Sequence, residues 1–428
     1  MRAWQRLVHV CQKWRQIIFG SPRYLGLHLH SSFRSSFRKK LSCWPEFPIT
    51  IDHCISEDKD HDDLIAALEH PGRVLHVCLL ITHSEVSEVL DMMQVPFPSL
   101  TVLDLNGPNA EGEDSIFELP DDFLGGSAPC LHRLRLKDIA FPGLPKLLLS
   151  TRDLVSVHLR HIPSTGHGHI SSEAMIGGLA GLTRLETLSI KFRFPIPPHK
   201  QRRRLPDPPI RVVFPALTEF VFIGENGYLE DLMTQIDTPR VKDIRIRSFF
   251  AQEVETHQLS RFIARAAIFE LAQFRAAYVV FGLHYASIEL DEYEGHRARL
   301  RFTMILELDF SIPCMARALG QFVGMLSNVN RLSVYGLQDE EFRAGLHSMD
   351  NIEWLTILHL FNAVEALYVS GALTVHIASA LQDIAEDRIT EVLPALNLLQ
   401  LSQDDGRVGP PERFLSLRQL SGFPVTVS

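Results

Sequence analysis

The feature that most constrains this 428-residue chain is a short frame, apolar-x-x-apolar-x-apolar, that recurs along most of its length. Its clearest copy lies within Pro98-Ser-Leu-Thr-Val-Leu-Asp-Leu105. Ten copies begin at Val74, Leu100, Leu131, Leu154, Leu185, Leu217, Val241, Val329, Val364 and Leu396, each with Val, Ile, Leu or Phe at places one, four and six. One copy alone carries no weight, since about one window in thirty matches by chance. The context carries it: Pro98, Pro129, Pro215, Pro239 and Pro394 each stand two residues before a frame. Proline ends the preceding element and biases its predecessor toward extended backbone, so each frame is expected to open a strand.

Successive frames start 23 to 35 residues apart, apart from one gap of 88 between Val241 and Val329. One short strand every 20 to 35 residues is the signature of a leucine-rich solenoid. The expected fold class is therefore α/β, a leucine-rich-repeat-like solenoid over residues 71–428. With 46% hydrophobic and 22% charged residues the chain reads as folded throughout. Repeats pack only on their neighbours, so the length does not by itself require several cores. The net charge of −9 argues against a uniformly basic surface for nucleic acid or membrane.

Six cysteines (Cys11, Cys43, Cys54, Cys78, Cys130, Cys314) are scattered with no Cys-x-x-Cys pair, and read as buried small residues in a reducing compartment. No stretch has the length and apolarity of a membrane helix, and charged residues interrupt the start where a signal peptide is apolar. A cytoplasmic or nuclear location without membrane attachment is expected.

From Ala3 to Phe19, Trp4, Leu7, Val8, Cys11, Trp14 and Ile18 recur at helical spacing, and Gly20-Ser21-Pro22 stops the pattern, which predicts an amphipathic helix. The run Leu7-Val-His-Val-Cys-Gln-Lys-Trp-Arg-Gln-Ile-Ile-Phe-Gly-Ser-Pro-Arg-Tyr-Leu-Gly-Leu27 resembles the second half of an F-box of the expanded F-box proteins of mushroom-forming fungi. Further segments resemble the same family, among them Trp44-Pro-Glu-Phe-Pro-Ile49, Phe141-Pro-Gly-Leu-Pro-Lys-Leu-Leu-Leu149 and Arg418-Gln-Leu-Ser-Gly-Phe-Pro-Val425. The resemblance implies a noncatalytic substrate receptor of an SCF-type ubiquitin ligase. In it, Trp4, Leu7, Val8, Cys11, Trp14 and Ile18 dock a Skp-type adaptor on a cullin scaffold, and the repeats hold the target. An F-box opens with a Leu-Pro-x-Glu-like segment and a first helix, which are not seen ahead of this run. Ligase docking is expected to need a start upstream of Met1, and the alternative is an interaction scaffold that never meets a ligase.

The expected organisation is a partial F-box over 1–30, a connection with a short strand and helix over 31–70, and the repeats. Two features interrupt the repeats. Phe192 to Pro209 holds six prolines and Lys200-Gln-Arg-Arg-Arg204, and reads as an exposed basic loop at 192–209. Alternation across Ala276 to Phe310 fills the long gap and predicts an antiparallel insertion within 270–310.

Chemistry-bearing patterns are weak. His161, His167 and His169 with Glu173, and Cys43, His53, Cys54 and His61, lack the paired spacing of zinc motifs. There is no Gly-x-Ser-x-Gly elbow, phosphate loop or dinucleotide fingerprint, so neither catalysis nor a cofactor is expected. The informative residues are the frame places that face away from the core. Alternation sends places three, five and seven to the concave sheet face, which puts Arg133, Arg135, Lys137, His158, Arg160, Lys191, Arg245, Arg247 and Arg331 there. Eight Lys or Arg stand against Asp104, Glu219 and Asp243 in these columns, so the expected partner is an acidic or phosphorylated target protein. Nucleic acid ranks lower, because only Tyr335 and Tyr368 would offer stacking there.

Overall fold

Places one, four and six of the frame form the core. The computed structural model describes the chain outside residues 1–5, 8, 21–26, 31–37, 39–40, 42–45, 56–60, 82–86, 109–116, 165–167, 194–210, 251–255, 267–273, 292–298, 307–311, 347–349, 403–408 and 428. All frame residues at those three places are buried except Leu401, which is half-buried. Full burial of such a side chain is worth about 1.5 to 3 kcal/mol, so the frame is the main apolar investment of the fold. The chain divides into two compact units, Met1–Pro197 with Val212–Leu217, and Pro198–Arg211 with Thr218–Ser428.

In the first unit the strands of the large sheet are β1 (Leu27–His30), β2 (Ile49–Ile55), β3 (Val74–Ile81), β4 (Val102–Asn106), β5 (Arg133–Lys137), β6 (Ser156–Ile162) and β7 (Thr187–Phe192). Each pairs in parallel with the next in sequence. Because every connection steps the same way and parallel crossovers share one hand, the connections collect on one side of the sheet. Helices His61–Leu68, Ser87–Met92, Leu144–Ser150 and Ser172–Leu179 lie in them, with Leu64, Val89, Leu147 and Met175 buried. Ser171 caps the last of these, its hydroxyl accepting from the Ala174 amide at 3.2 Å, as the Ser-Ser-Glu start predicts.

Two repeated backbone contacts set the strands. The prolines occupy the second position of a tight turn rather than only extending the residue before them. The frame's first amide donates to the carbonyl preceding the proline in Leu100 to Phe97, Leu131 to Ala128, Leu217 to Phe214, Val241 to Thr238 and Leu396 to Leu393. Leu393 departs from the expected extended conformation, with φ at 51°. The second frame places then bond from repeat to repeat: Thr101 N to Leu75 O, His132 N to Thr101 O, Val155 N to His132 O and Glu186 N to Val155 O, at 2.7 to 2.8 Å.

The second unit holds β8 (Glu219–Glu225), β9 (Asp243–Phe250), β10 (Ala276–Phe281), β11 (Tyr285–Asp291), β12 (Arg299–Leu306), β13 (Arg331–Gly336), β14 (Ala366–Gly371), β15 (Leu398–Ser402) and β16 (Thr426–Val427). Their spatial order is β8, β9, β12, β11, β10, β13, β14, β15, β16. The long gap between frames is an antiparallel insertion, as the alternation predicts. Only β11 runs backwards, and β12 and β10 on its flanks pair in parallel with β9 and β13. A three-strand meander restores the chain direction on both sides, which an even number of strands could not. β16 pairs in parallel with β15.

Other expectations change. The N-terminal helical stretch is broken: Arg6 and Leu7 are helical, His9 and Val10 form a turn, Cys11 is extended with φ at −161°, and helix Gln12–Phe19 follows. Trp4 and Val8 lie outside the described residues, as does the basic cluster at 200–204. Cys11 and Cys130 are exposed and Cys78 is half-buried, against the reading of these cysteines as core residues. Cys78 falls on the outward column of β3, and Cys130 in the turn ahead of β5, where the frame supplies no burial.

Gly371 closes β14 at φ +75°, and a Cβ there would meet Gly336 O at 2.0 Å. Gly371→Ala is expected to cost at least about 1 to 3 kcal/mol in urea unfolding. Gly320→Ala, with nothing within 4 Å of the added carbon, is the neutral or stabilising control.

Candidate binding face

Register turns the outward frame places into rows. In the first unit Thr50, His76, Val102, Arg133, Ser156 and Thr187 stand in one row. Asp52, Cys78, Asp104, Arg135, His158 and Ser189 form the next. Leu80, Asn106, Lys137, Arg160 and Lys191 form the third. Six of the nine residues predicted for the face, Arg133, Arg135, Lys137, His158, Arg160 and Lys191, thus occupy three adjacent strands. Neighbouring strands lie about 4.8 Å apart, so Lys137, Arg160 and Lys191 place three like charges directly side by side. Like charges opposite one another across a sheet are destabilising.

Carboxylates offset part of this. Arg135 reaches Asp104 at 3.6 Å, and Lys137 lies 3.5 Å from Asp138. Among the described residues no carboxylate pairs with Arg133 or Arg160. The unit's outward rows carry five Lys or Arg against Asp52 and Asp104, a net +3 before histidines.

His158 sits inside this cluster, its Nε2 2.9 Å from Ser156 Oγ. Burial, reinforced by Arg135, Arg160, Arg133 and Lys191, holds its imidazole below the usual range. His76 is lowered by burial and then by Arg133. Burial pushes the Cys78 thiol up, helped by Asp104 and Asp52, so on this face Cys78 is a poor nucleophile.

At the strand ends the chain bends sharply. Asp138 and His161 both take left-handed backbone, φ +55°, and their side chains meet at 2.9 Å between His161 Nδ1 and Asp138 Oδ1. The positions where leucine-rich repeats carry an asparagine or cysteine ladder hold Ile139 and Ile162, both buried. The turns are tied by backbone instead, Gly107 N to Lys137 O, Asp138 N to Arg160 O and Arg193 N to Ile162 O. His161 is thus engaged in a turn; His167, considered with it as a metal ligand, lies outside the described residues.

The second unit presents a different surface. Arg245, Arg247 and Arg331 project from its sheet as expected, yet they do not extend a basic face. The insertion adds Arg299 and Arg301 together with Glu289 and Asp291, which no frame marked in the sequence. Arg245 is clamped by Asp243 at 2.5 Å and approached by Glu219 at 3.6 Å, and the bond to Asp243 raises its already high pKa. Arg301 and Arg299 share Glu289. Five arginines face Glu219, Glu225, Asp243, Glu289 and Asp291, so these outward rows are neutral. Outward aromatic residues, Phe249, Tyr278, Tyr285, Tyr335 and Tyr368, are here, with the Arg331 guanidinium 5.8 Å from the Tyr368 ring centre.

At the N-terminus, Leu7, Val10, Trp14 and Ile17 are exposed while Ile18 is buried. The exposed apolar side of helix Gln12–Phe19 is therefore Trp14 and Ile17, and Ile18 packs inward rather than outward. No described helix is long and apolar enough to cross a membrane. No protein-family model matches the chain, and no curated protein matches it.

If crowding in the third row is a standing cost, removing its central charge should stabilise the fold. Arg160→Gln is expected to raise stability by about 0.2 to 1 kcal/mol. The gain should be larger at about 0.01 M than about 1 M salt in parallel urea titrations. Loss of stability would mean that Arg160 is held by structural contacts instead.

Proposed function

We propose that this chain is a noncatalytic receptor that captures an acidic or phosphorylated protein segment on the open side of its first sheet. The observation that carries this is the row Lys137, Arg160 and Lys191 on three adjacent strands, flanked by Arg133 and Arg135. Arginine forks and lysine ammonium groups projecting from adjacent strands can hold carboxylate or phosphate oxygens by charge-assisted hydrogen bonds. A protein segment suits this face better than nucleic acid. The first unit's outward rows hold no Phe, Tyr or Trp among the described residues, so bases would find no stacking platform.

The sequential parallel strands of the first unit's sheet and the regular frame support a leucine-rich solenoid, whose inner face this sheet would be. The N-terminal resemblance adds the second half of the proposal: the Trp14 and Ile17 side of helix Gln12–Phe19 docks a Skp-type adaptor, making the chain a substrate receptor of a cullin-based ubiquitin ligase inside the cell. An interaction scaffold that uses the same face is the competing reading. Exposed apolar residues on this helix serve either, and co-purification with the adaptor separates them. Trp14→Ala with Ile17→Ala should abolish capture of the adaptor without loss of fold. An adaptor that never binds the chain leaves the scaffold.

The face itself is tested by charge reversal. Arg133→Glu with Arg135→Glu is expected to weaken binding of a glutamate-rich peptide by at least about tenfold, since each charged hydrogen bond is worth about 1.5 to 3 kcal/mol. Unchanged affinity in fluorescence anisotropy would place the partner elsewhere.

A further inference from the structure

We infer that the first unit's face takes up a proton as it takes up its acidic segment, and that His158 is the group that receives it. The inference rests on the proposed anion-binding role and concerns how that same face is regulated. Its ground is placement. His158 stands in register between Arg135 on β5 and Ser189 on β7. The neighbouring rows bring Arg133 and Lys137 on β5, Ser156 and Arg160 on its own strand, and Thr187 and Lys191 on β7. The nearest carboxylate in its row is Asp104 on β4, a further strand away and engaged with Arg135.

A sixth positive charge on the empty face would sit among five others and half out of water. The imidazole therefore stays neutral there, in keeping with the downward shift that burial and these cations impose. A carboxylate seated over the row reverses the local balance, because an opposite charge nearby favours the charged form. The bound state then holds more protons than the free state at the same pH. By linkage, affinity must rise as pH falls through the interval between the bound and the free pKa of this histidine. His158 becomes an additional donor only when there is something to hold. Among the residues whose side chains are described, the remaining titratable groups toward the same side are His76 on β3, with Arg133 among its neighbours, Cys78 and Asp52 in the row of His158, and the exposed His161 on Asp138; the register also brings His28 and His30 of β1 into line with Thr50 and Asp52.

The test uses the full chain and a fluorescein-labelled octaglutamate peptide, whose carboxylates stay ionised well above their ordinary pKa of about 4.3. Anisotropy titrations run at pH 8 and pH 6, at constant ionic strength, with circular dichroism confirming the fold at both. For the unaltered chain the dissociation constant is expected to fall about three- to tenfold between pH 8 and pH 6. His158→Gln should bind with one affinity at both values, and His158→Lys, charged throughout, should bind tightly and without pH dependence. His76→Gln and His161→Gln should keep the slope. A slope that survives in His158→Gln, or disappears only in His76→Gln or His161→Gln, overturns the assignment while leaving anion capture intact. No binding by the unaltered chain at either pH overturns the anion-binding reading itself and this inference with it.

Discussion

The hydrogen bonds between second frame places, running from Leu75 through Thr101, His132 and Val155 to Glu186, are the constraint on which the rest of the first unit depends. Each bond fixes where the next strand begins, and alternation then dictates everything downstream of it. Places four and six must fall on the core side together, and places three, five and seven must fall on the other side together. A slip of one residue would bury Arg135 and His158 and expose Leu134 and Val157. The apolar core and the charged rows are therefore one decision, made by the backbone and enforced by burial.

That decision explains why the two units carry such different outward surfaces from similar repeats. In the first unit the frames follow one another, and each contributes its own outward residues with few acids among them. In the second, three strands enter between frames and bring Glu289 and Asp291 into register with Arg301, Arg299 and their neighbours. Antiparallel pairing places Glu289 opposite Arg301 and within 3.9 Å of Arg299, so one carboxylate holds both cations within the sheet. The same residue type thus acts as scaffold in one unit and as available charge in the other. What separates the cases is the chemistry of the cross-strand neighbour, and exposure alone does not distinguish them.

Much of this was legible in the residues. The frame located a strand at every copy, the proline positions marked their turns, and the column rule correctly set Arg133, Arg135, Lys137, His158, Arg160 and Lys191 on one side. The alternation in the long gap predicted an antiparallel insertion of two or three segments, and three strands form there. Misreadings arose where the outcome depends on contacts between distant segments. In the second half the columns set Arg245, Arg247 and Arg331 against Glu219 and Asp243; Glu225, beyond place seven, and the Glu289, Asp291, Arg299 and Arg301 of the frameless strands lay outside that count. The helix break at His9 to Cys11 leaves the apolar spacing untouched, so periodicity did not reveal it. The left-handed turns at Asp138 and His161 involve residues other than glycine, for which the sequence gives little warning.

The fate of Arg418 sharpens the argument for function. It is fully buried, donates from Nη2 to the carbonyls of Pro394 and Leu396, and lies near the Phe414 and Phe423 rings. Its stem and guanidinium cap the last proline turn, so this cation is tied to the fold by backbone contacts. Arg133 and Arg160 have no such tie among the described residues, and their neighbours repel them. Selection for stability alone would replace an unanchored cation standing between two lysines with a neutral residue, since strand positions tolerate threonine or serine, as Thr187 and Ser189 on the adjoining strand illustrate. On the proposed reading, the charge of Arg160 is stability given up for recognition, the usual relation between a binding surface and the scaffold that carries it.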